Sequence, residues 1–423
     1  MKNVLVIAPT GREYRELPPI AEALGCRLIF DDFAGSYFDD QLAGDYQGIE
    51  LEIVALIEET IRRHGAGLSG VTTGVGYPGM PVVGVIAERL GLPGPRADRV
   101  LLCLHKYYCR VAQRELTPYA APPFQLVDPK RPDDLPRELN FPLFLKPVQS
   151  CFSINARRIE GPREFREKVA SSLLPAGFLK PLNDMLAAYT DLELNASYLL
   201  AESLLGGVQV SLEGYVFGGR VRILGIVDSV MYPGTNSFKR FEYPSRLEPS
   251  VLRRMEETAA RFIGGIGYDN ALFNIEFMYT PETDEIWIIE VNPKIASQFT
   301  DLFEKVDGTS SYVPLLQIAL GHEPDFRNGG GQFRCAASCV MRLFEDRRVL
   351  SVPSSEQVES LRRRFPDVRV EISARPGRLL SEVMQDGMSY RYAVVNLGAN
   401  SWAELDEKFA ECADALEFQF AAP

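Results

Sequence analysis

The sequence has no CxxC pair, and its seven cysteines are scattered and odd in number, which argues against a full disulfide framework. Cys335 and Cys339 stand four apart with no histidine near them, so they read as packing residues rather than metal ligands. Cations are in deficit: 45 Lys and Arg face 57 Asp and Glu, a formal net charge of -12. That balance disfavours nucleic acid or an anionic membrane surface as the main partner, since both need a cationic face. A local basic cleft for a small anionic substrate is compatible with it. No stretch approaches the roughly 20 apolar residues of a membrane span. The opening MKNVLVIAPTG is too short an apolar run for a signal peptide. The expectation is a reduced, cytoplasmic protein without internal repeats or low-complexity tracts.

What the chain does have is alternation. NVLVIA, CRLIFDDF and GLSGV read as strands. Leu17 to Leu24, IELEIVALIEETIRRHG and PVVGVIAERLGLPG read as helices, the last two closing on Gly65 and Gly91. Strands alternating with helices imply a parallel sheet, so residues 1–100 are expected to form a Rossmann-like α/β unit. No GxGxxG follows the first strand, which leaves no fingerprint of a dinucleotide site. From residue 101 a helix (DRVLLCLHKYYCRVAQREL) leads through a Pro-rich linker to FPLFLKPVQS and further strands. Residues 171–197 look like an added helix and loop. The glycines of GHEPDFRNGGGQF mark a boundary, so the expected units are 1–100, 101–328 and 329–423. The last of them reads as a compact α+β domain.

Strand parity carries the most chemistry. In ALFNIEFMY, Asn274 and Glu276 share one face while Phe273, Ile275 and Phe277 share the other. In IWIIEVNP, strict alternation puts Ile288, Glu290 and Asn292 together, with Ile289 and Val291 packing behind. The intervening YTPETDE is turn-like, so the two strands are expected to pair as a hairpin. Glu276, Glu290 and Asn292 then either converge as oxygen ligands for a hard divalent cation on a nucleotide, or stand as solvated hairpin ends. Lys146 ends the strand FPLFLK. The loop QSCFSINARRI after it, which includes Ser153, offers backbone N–H groups of the kind that cradle phosphate. In VQVSLEGYV, Gln209, Ser211 and Glu213 alternate with apolar residues, which suits either a ligand-lining or a solvent-facing strand.

The ordered set HK (105–106), FPLFLKP (141–147), AESLLGG (201–207), NIEF (274–277) and EVNPK (290–294) resembles the ATP-grasp superfamily of carboxylate–amine and carboxylate–thiol ligases. The similarity runs over essentially the whole chain and is nearest to the L-amino acid ligase and biotin carboxylase-like members. It implies a mixed α/β and α+β architecture, an ATP-grasp fold with a Rossmann-like N-terminal domain and a C-terminal α+β domain. A lid subdomain would span about 141–204. The resemblance implies that Lys106 and Lys146 hold ATP phosphates. The segment Glu202, Ser203 and Leu204 would be the hinge that pairs with adenine, mostly through backbone groups. Gln209 stands where a ribose-binding Glu is usual. Glu276, Glu290 and Asn292 would ligate Mg²⁺, with Mn²⁺ as a possible substitute. Lys294 replaces the arginine of the NPR phrase and would neutralise the γ-phosphate or a substrate carboxylate, without the bidentate fork.

The implied reaction is activation of a carboxylate as an acyl phosphate and its capture by an amine, releasing ADP and phosphate. A thiol or other nucleophile is the alternative, as is a non-catalytic nucleotide-binding protein of the same fold. Residues Lys294 to Gln298 do not follow the RIQVEH-like run of biotin carboxylases, and no biotinyl-lysine phrase exists, which disfavours bicarbonate. Ala296 and Ser297 stand where many L-amino acid ligases carry glycines. Lys239 and Arg240, in MYPGTNSFKRFEYPSRL, either hold a substrate carboxylate or are surface charges. Arg342 is a further candidate for that task. Glu213 would bind a substrate amine, assist the metal or merely line the cleft. Arg110 and Arg114 read as structural or solvated helix-face residues. A homodimer is implied by the resemblance alone.

Overall fold

A computed structural model describes residues 1–32, 51–150, 155–172, 176–382 and 389–422. The chain opens with β1 (Lys2–Ile7), α1 (Gly11–Ala23), β2 (Cys26–Asp31), α2 (Ile53–His64), β3 (Leu68–Thr72) and α3 (Gly79–Leu90). The three strands form a parallel sheet in the order β2-β1-β3, as the alternation predicts. Helix α1 begins six residues earlier than its apolar pattern suggests. Thr10 caps it, its side chain accepting from the Arg12 N–H, while Glu13 returns to the Thr10 N–H. Helix α3 ends on Gly91 in the left-handed region, as read from the sequence.

The expected single helix over 98–116 is two. Helix α4 (Ala97–Leu104) and α5 (Lys106–Leu116) meet at His105, which is extended (φ -84, ψ 93). The buried His105 ring contacts the Asn195 carbonyl at 3.1 Å, and burial lowers its pKa to about 4, so the break is anchored by a neutral imidazole. Next come β4 (Phe124–Val127), β5 (Leu143–Pro147), β6 (Arg157–Ile159), α6 (Pro162–Ser171), α7 (Ala176–Tyr189) and β7 (Leu199–Ser203). The strands form a four-stranded antiparallel sheet, β4-β7-β5-β6, which α6 covers with Phe165 and Val169. Helix α7, the added helix of the sequence reading, buries Phe178, Leu182 and Met185 against Ile53 and Ile57 of α2. It thereby docks the smaller sheet's long connection onto the N-terminal unit.

The rest of the chain supplies β8 (Val208–Phe217), β9 (Arg220–Met231), β10 (Phe238–Tyr243), α8 (Pro249–Gly265), β11 (Ala271–Thr280), β12 (Glu285–Asn292), α9 (Thr300–Asp307) and α10 (Tyr312–Ala319). It ends with β13 (Cys335–Leu343), β14 (Val349–Ser351), α11 (Ser355–Arg364), β15 (Arg369–Ile372), β16 (Tyr390–Ala399), α12 (Trp402–Ala415) and β17 (Gln419–Phe420). Eight of these strands make one sheet, β12-β11-β8-β9-β10-β13-β16-β15, so the C-terminal strands continue the central sheet across the glycine-rich boundary. One face packs Val210, Phe273, Ile275 and Phe277 on α8, whose Val251, Met255, Ala259 and Phe262 recur at helical spacing. The other packs Leu224, Phe241 and Tyr243 on Phe299, Phe303 and Tyr312. Cys335 and Cys339 are free thiols buried in the core under α12, in keeping with a packing role. Among the described residues, no helix is long and apolar enough to cross a membrane.

The β11–β12 hairpin forms, with one departure from strict alternation. Glu276 is paired with Glu290, but Phe277 is paired with Ile288, leaving Ile289 as the extra residue of a β-bulge. Ile288 therefore turns to the α8 core beside Phe277 instead of sharing the face of Glu290.

Between the four-stranded and the eight-stranded sheet the chain turns at Gly207, where φ is +135 and an added Cβ would lie 2.0 Å from the Tyr279 carbonyl oxygen. Both backbone strain and a backbone clash oppose a side chain there. Gly207→Ala should lower stability by about 1–3 kcal/mol, read as an earlier midpoint in urea; an unchanged midpoint would contradict this account.

Candidate active site

The polar ends of four elements meet where β12, β11, α5 and β7 approach one another. Helix α5 starts at Lys106, whose N–H is held by the Val148 carbonyl at 3.0 Å just beyond β5. Its ammonium meets Glu290 at 2.9 Å. Lys146, buried near the end of β5, meets Glu202 of the adjacent β7 at 2.7 Å. Glu202 also takes Arg110, one turn along α5 from Lys106, at 2.5 Å. Arg110 further donates to Gln113 and, at 2.6 Å, to the carbonyl of Ile289, the bulged residue of β12. One buried guanidinium thus ties α5, β7 and β12 together.

The electrostatics follow from burial. Desolvation alone would raise the pKa of Glu202, but Arg110 and Lys146 outweigh it and hold the carboxyl at about 2. Burial lowers the pKa of Lys146, with Glu202 opposing that shift. Glu276 is raised to about 7 by burial first and by the neighbouring Glu290 charge second. Glu290 faces the same desolvation, yet Lys106 and Lys146 bring it below the usual carboxylate range. Gln209 donates to Glu276 at 2.9 Å, and the Asn292 amide lies 3.5 Å from the other Glu276 oxygen.

This donor set fits a hard cation. Two like-charged carboxyl groups directly opposite in register, with a carboxamide beside them, are relieved by a positive ion between them. Among the described residues no three His, Cys, Asp or Glu side chains cluster as a self-sufficient metal site. Phosphate and water would have to complete the coordination, as is usual for Mg²⁺.

Lys294 follows Pro293 and runs under the glycine-rich turn after β3. A Cβ at Gly76 would lie 2.7 Å from Lys294 Cδ, so the N-terminal unit floors this lysine. Its charge acts on both Glu276 and Glu213. Glu213 is fully buried, accepts the Ala296 N–H at 2.9 Å, and has its carboxyl raised by burial to about 8. It therefore braces the 293–299 turn against β8 as a largely protonated acid.

Of the other candidates, Ser153 lies outside the described residues. The backbone of Glu202 is spent on the ladders to β4 and β5, and the Ser203 N–H donates to the Pro123 carbonyl. The chain leaves the sheet at Leu204, the first residue of the segment with backbone groups outside the ladder. Lys239 is exposed at a bulge of β10. Arg240 lies on the opposite face of the sheet from Gln209 and Glu276, because Phe241, its neighbour, aligns with Ser229 and so with Gln209. It is paired there with Glu242 and Asp406, which removes it from this cluster. Arg342 donates to Ser389, and Arg114 stacks on Phe124. Arg110, read from the sequence as structural or solvated, proves central. Its spacing of four from Lys106 was the available sign.

Residues 139–301 match the ATP-grasp domain model. The C-terminal section of the carbamoyl phosphate synthase large chain of Methanopyrus kandleri is 30% identical over 129 residues. That match covers 28% of this chain and 22% of the relative's length. Among solved structures, an L-amino acid ligase from Bacillus licheniformis superposes with a TM-score of 0.73 at 18% identity, over 100% of this chain and 99% of that one. Phosphoribosylglycinamide synthetase from Anaerococcus prevotii gives 0.68 at 13%, over 99% and 100%. The biotin carboxylase domain of Hydrogenobacter thermophilus 2-oxoglutarate carboxylase, solved with MgADP and bicarbonate, gives 0.67 at 15%, over 100% and 91%. The likeness at these identities is one of fold, the ATP-grasp fold.

Two outcomes follow. Arg110→Met leaves Glu202 with Lys146 as its one cation and strips a donor from Gln113 and from the Ile289 carbonyl, and should cost about 1–3 kcal/mol in denaturant unfolding; an unchanged midpoint would remove Arg110 from its keystone role. For Glu213, the folded pKa of about 8 exceeds the ordinary 4.5. The stability it contributes is full below pH 4.5 and is lost as pH rises to about 8. Glu213→Gln should therefore gain in melting temperature relative to the wild type between pH 5 and 8, whereas a gap constant with pH would sink the assignment.

Proposed function

We propose that the protein is an ATP-dependent ligase that phosphorylates a small carboxylic acid, an amino acid or a close relative, and joins the acyl group to an amine. The observation that carries this reading is the pairing of Glu276 with Glu290 across the hairpin, with Lys106 and Lys146 brought to the same point from two other elements. Binding of a nucleotide alone would not need that complete set. The full-length likeness in fold to an L-amino acid ligase supports an amino acid as the acid.

In this reading Lys106 and Lys146 receive the ATP phosphates. The chain from Leu204 onward offers backbone groups to the base, and Gln209 reaches the sugar. Glu276, Glu290 and Asn292 would hold Mg²⁺, which would supply charge neutralisation for the nucleotide phosphates. An oxygen of the substrate carboxylate attacks the γ-phosphorus and the bond to ADP breaks. Lys294, floored by Gly76, stabilises the charge on the transferred group or on the acid that receives it. A neutral amine then attacks the acyl carbon, the carbon–oxygen bond to phosphate breaks, and the amine nitrogen loses a proton. The small sheet carrying Lys146 must close over the acyl phosphate, because water would hydrolyse it.

ADP release should depend on one acid, and hydroxylamine should trap that acid as a hydroxamate. An amine, rather than a thiol, should then raise turnover. No ADP with any acid despite ATP binding would reject the enzyme reading. Glu290→Gln should lower kcat by at least about a hundredfold, and an unchanged rate would reject the assignment of Glu290.

A further inference from the structure

Lys106, Lys146, Arg110, Glu202 and Glu290 are all held in ion pairs, but the two phosphate-facing lysines are partnered differently. Lys146 shares Glu202 with Arg110, at 2.7 and 2.5 Å. When Lys146 moves to a phosphate, Glu202 keeps Arg110 and stays neutralised. Lys106 is the ion-pair partner of Glu290 at 2.9 Å, and its side chain is only 12% exposed. Its other contact among the described residues is the Ser150 carbonyl at 3.4 Å, a poor substitute for a carboxylate. A divalent cation arriving at Glu290 must either share the carboxylate with an ammonium or take that ammonium from its one ion-pair partner among the described residues. Both are unfavourable until an anion takes the lysine.

We propose that Lys106 gates the metal site. Its ammonium occupies Glu290 in the nucleotide-free protein, and the site becomes competent for a divalent cation when nucleotide phosphate draws Lys106 away. One side chain thus serves in turn as the counter-ion of the metal ligand and of the substrate that brings the metal. This rests on the nucleotide- and metal-site reading above. It adds that the metal-free state is held closed by an internal cation, so that metal and nucleotide affinities are coupled through Lys106 beyond their mutual chelation.

Mn²⁺ titration followed by electron paramagnetic resonance, on nucleotide-free protein, tests the gate. Lys106→Met should bind Mn²⁺ roughly 5- to 150-fold more tightly than the wild type, and Lys106→Arg, which keeps the cation, should stay near the wild type. Equal affinity in the wild type and Lys106→Met would overturn the gate. Should Lys106→Met fail to fold, the reciprocal measurement decides. In excess EDTA, Glu290→Gln frees Lys106 and should tighten ADP binding severalfold, whereas Glu276→Gln should not. An equal gain in both variants would assign the effect to net charge and overturn the proposal. Neither Mn²⁺ nor ADP bound by any form would overturn the underlying site reading instead.

Discussion

A charge that has left water must find an opposite charge or a fixed dipole, and that requirement shapes the centre of this protein. Arg110, Lys106 and Lys146 pair with Glu202 and Glu290 beside Glu276, in a region where Arg110, Lys146 and Glu202 are buried and the other three are partly so. No single element could supply such a set without repelling itself. The fold resolves this by drawing cations from α5 and β5 and carboxylates from β7, β11 and β12. Each ion pair is then also a joint between elements far apart in sequence. Removing one partner loosens a joint and strands a charge at the same time.

The same economy holds at the periphery of the site. Lys294 lies under Gly76 of the N-terminal unit, and Glu13 of α1 is buried against the Tyr312 hydroxyl of α10. Arg12 reaches Glu371 of β15 with both guanidinium arms, at 2.9 and 2.7 Å. The N-terminal unit, the central sheet and the C-terminal strands thus close around one region that belongs to none of them alone.

Much of this was legible in the sequence, for identifiable reasons. The hairpin could be read because a turn-rich YTPETDE separates two strands whose polar residues fall at matching steps. Lys146 could be placed because a proline ends its strand. The break at His105 was not legible, since KYYCRVAQREL continues the helical pattern of the residues before it. What interrupts the helix is a contact with Asn195, 90 residues away. For Arg110 the sequence left structural and solvated roles open, and the structural one depends on β7 and β12 arriving there. Arg240 looked available because its partners, Glu242 and Asp406, become neighbours only when β10 is paired and α12 packs behind it. Local pattern conveys spacing along one element, whereas these errors concern what a second element brings.

The bulge at Ile289 has an effect on the hairpin's tolerance of change as well as on its shape. The extra residue releases one carbonyl from the ladder and hands it to Arg110. It also separates β12 into two stretches with independent phase. The stretch near the turn, Glu285 to Ile288, keeps time with the apolar core on α8. The stretch from Glu290 to Asn292 keeps time with the carboxylate of Glu276. Insertions or losses around residues 281–284 can be absorbed on the turn side without rotating Glu290 out of place.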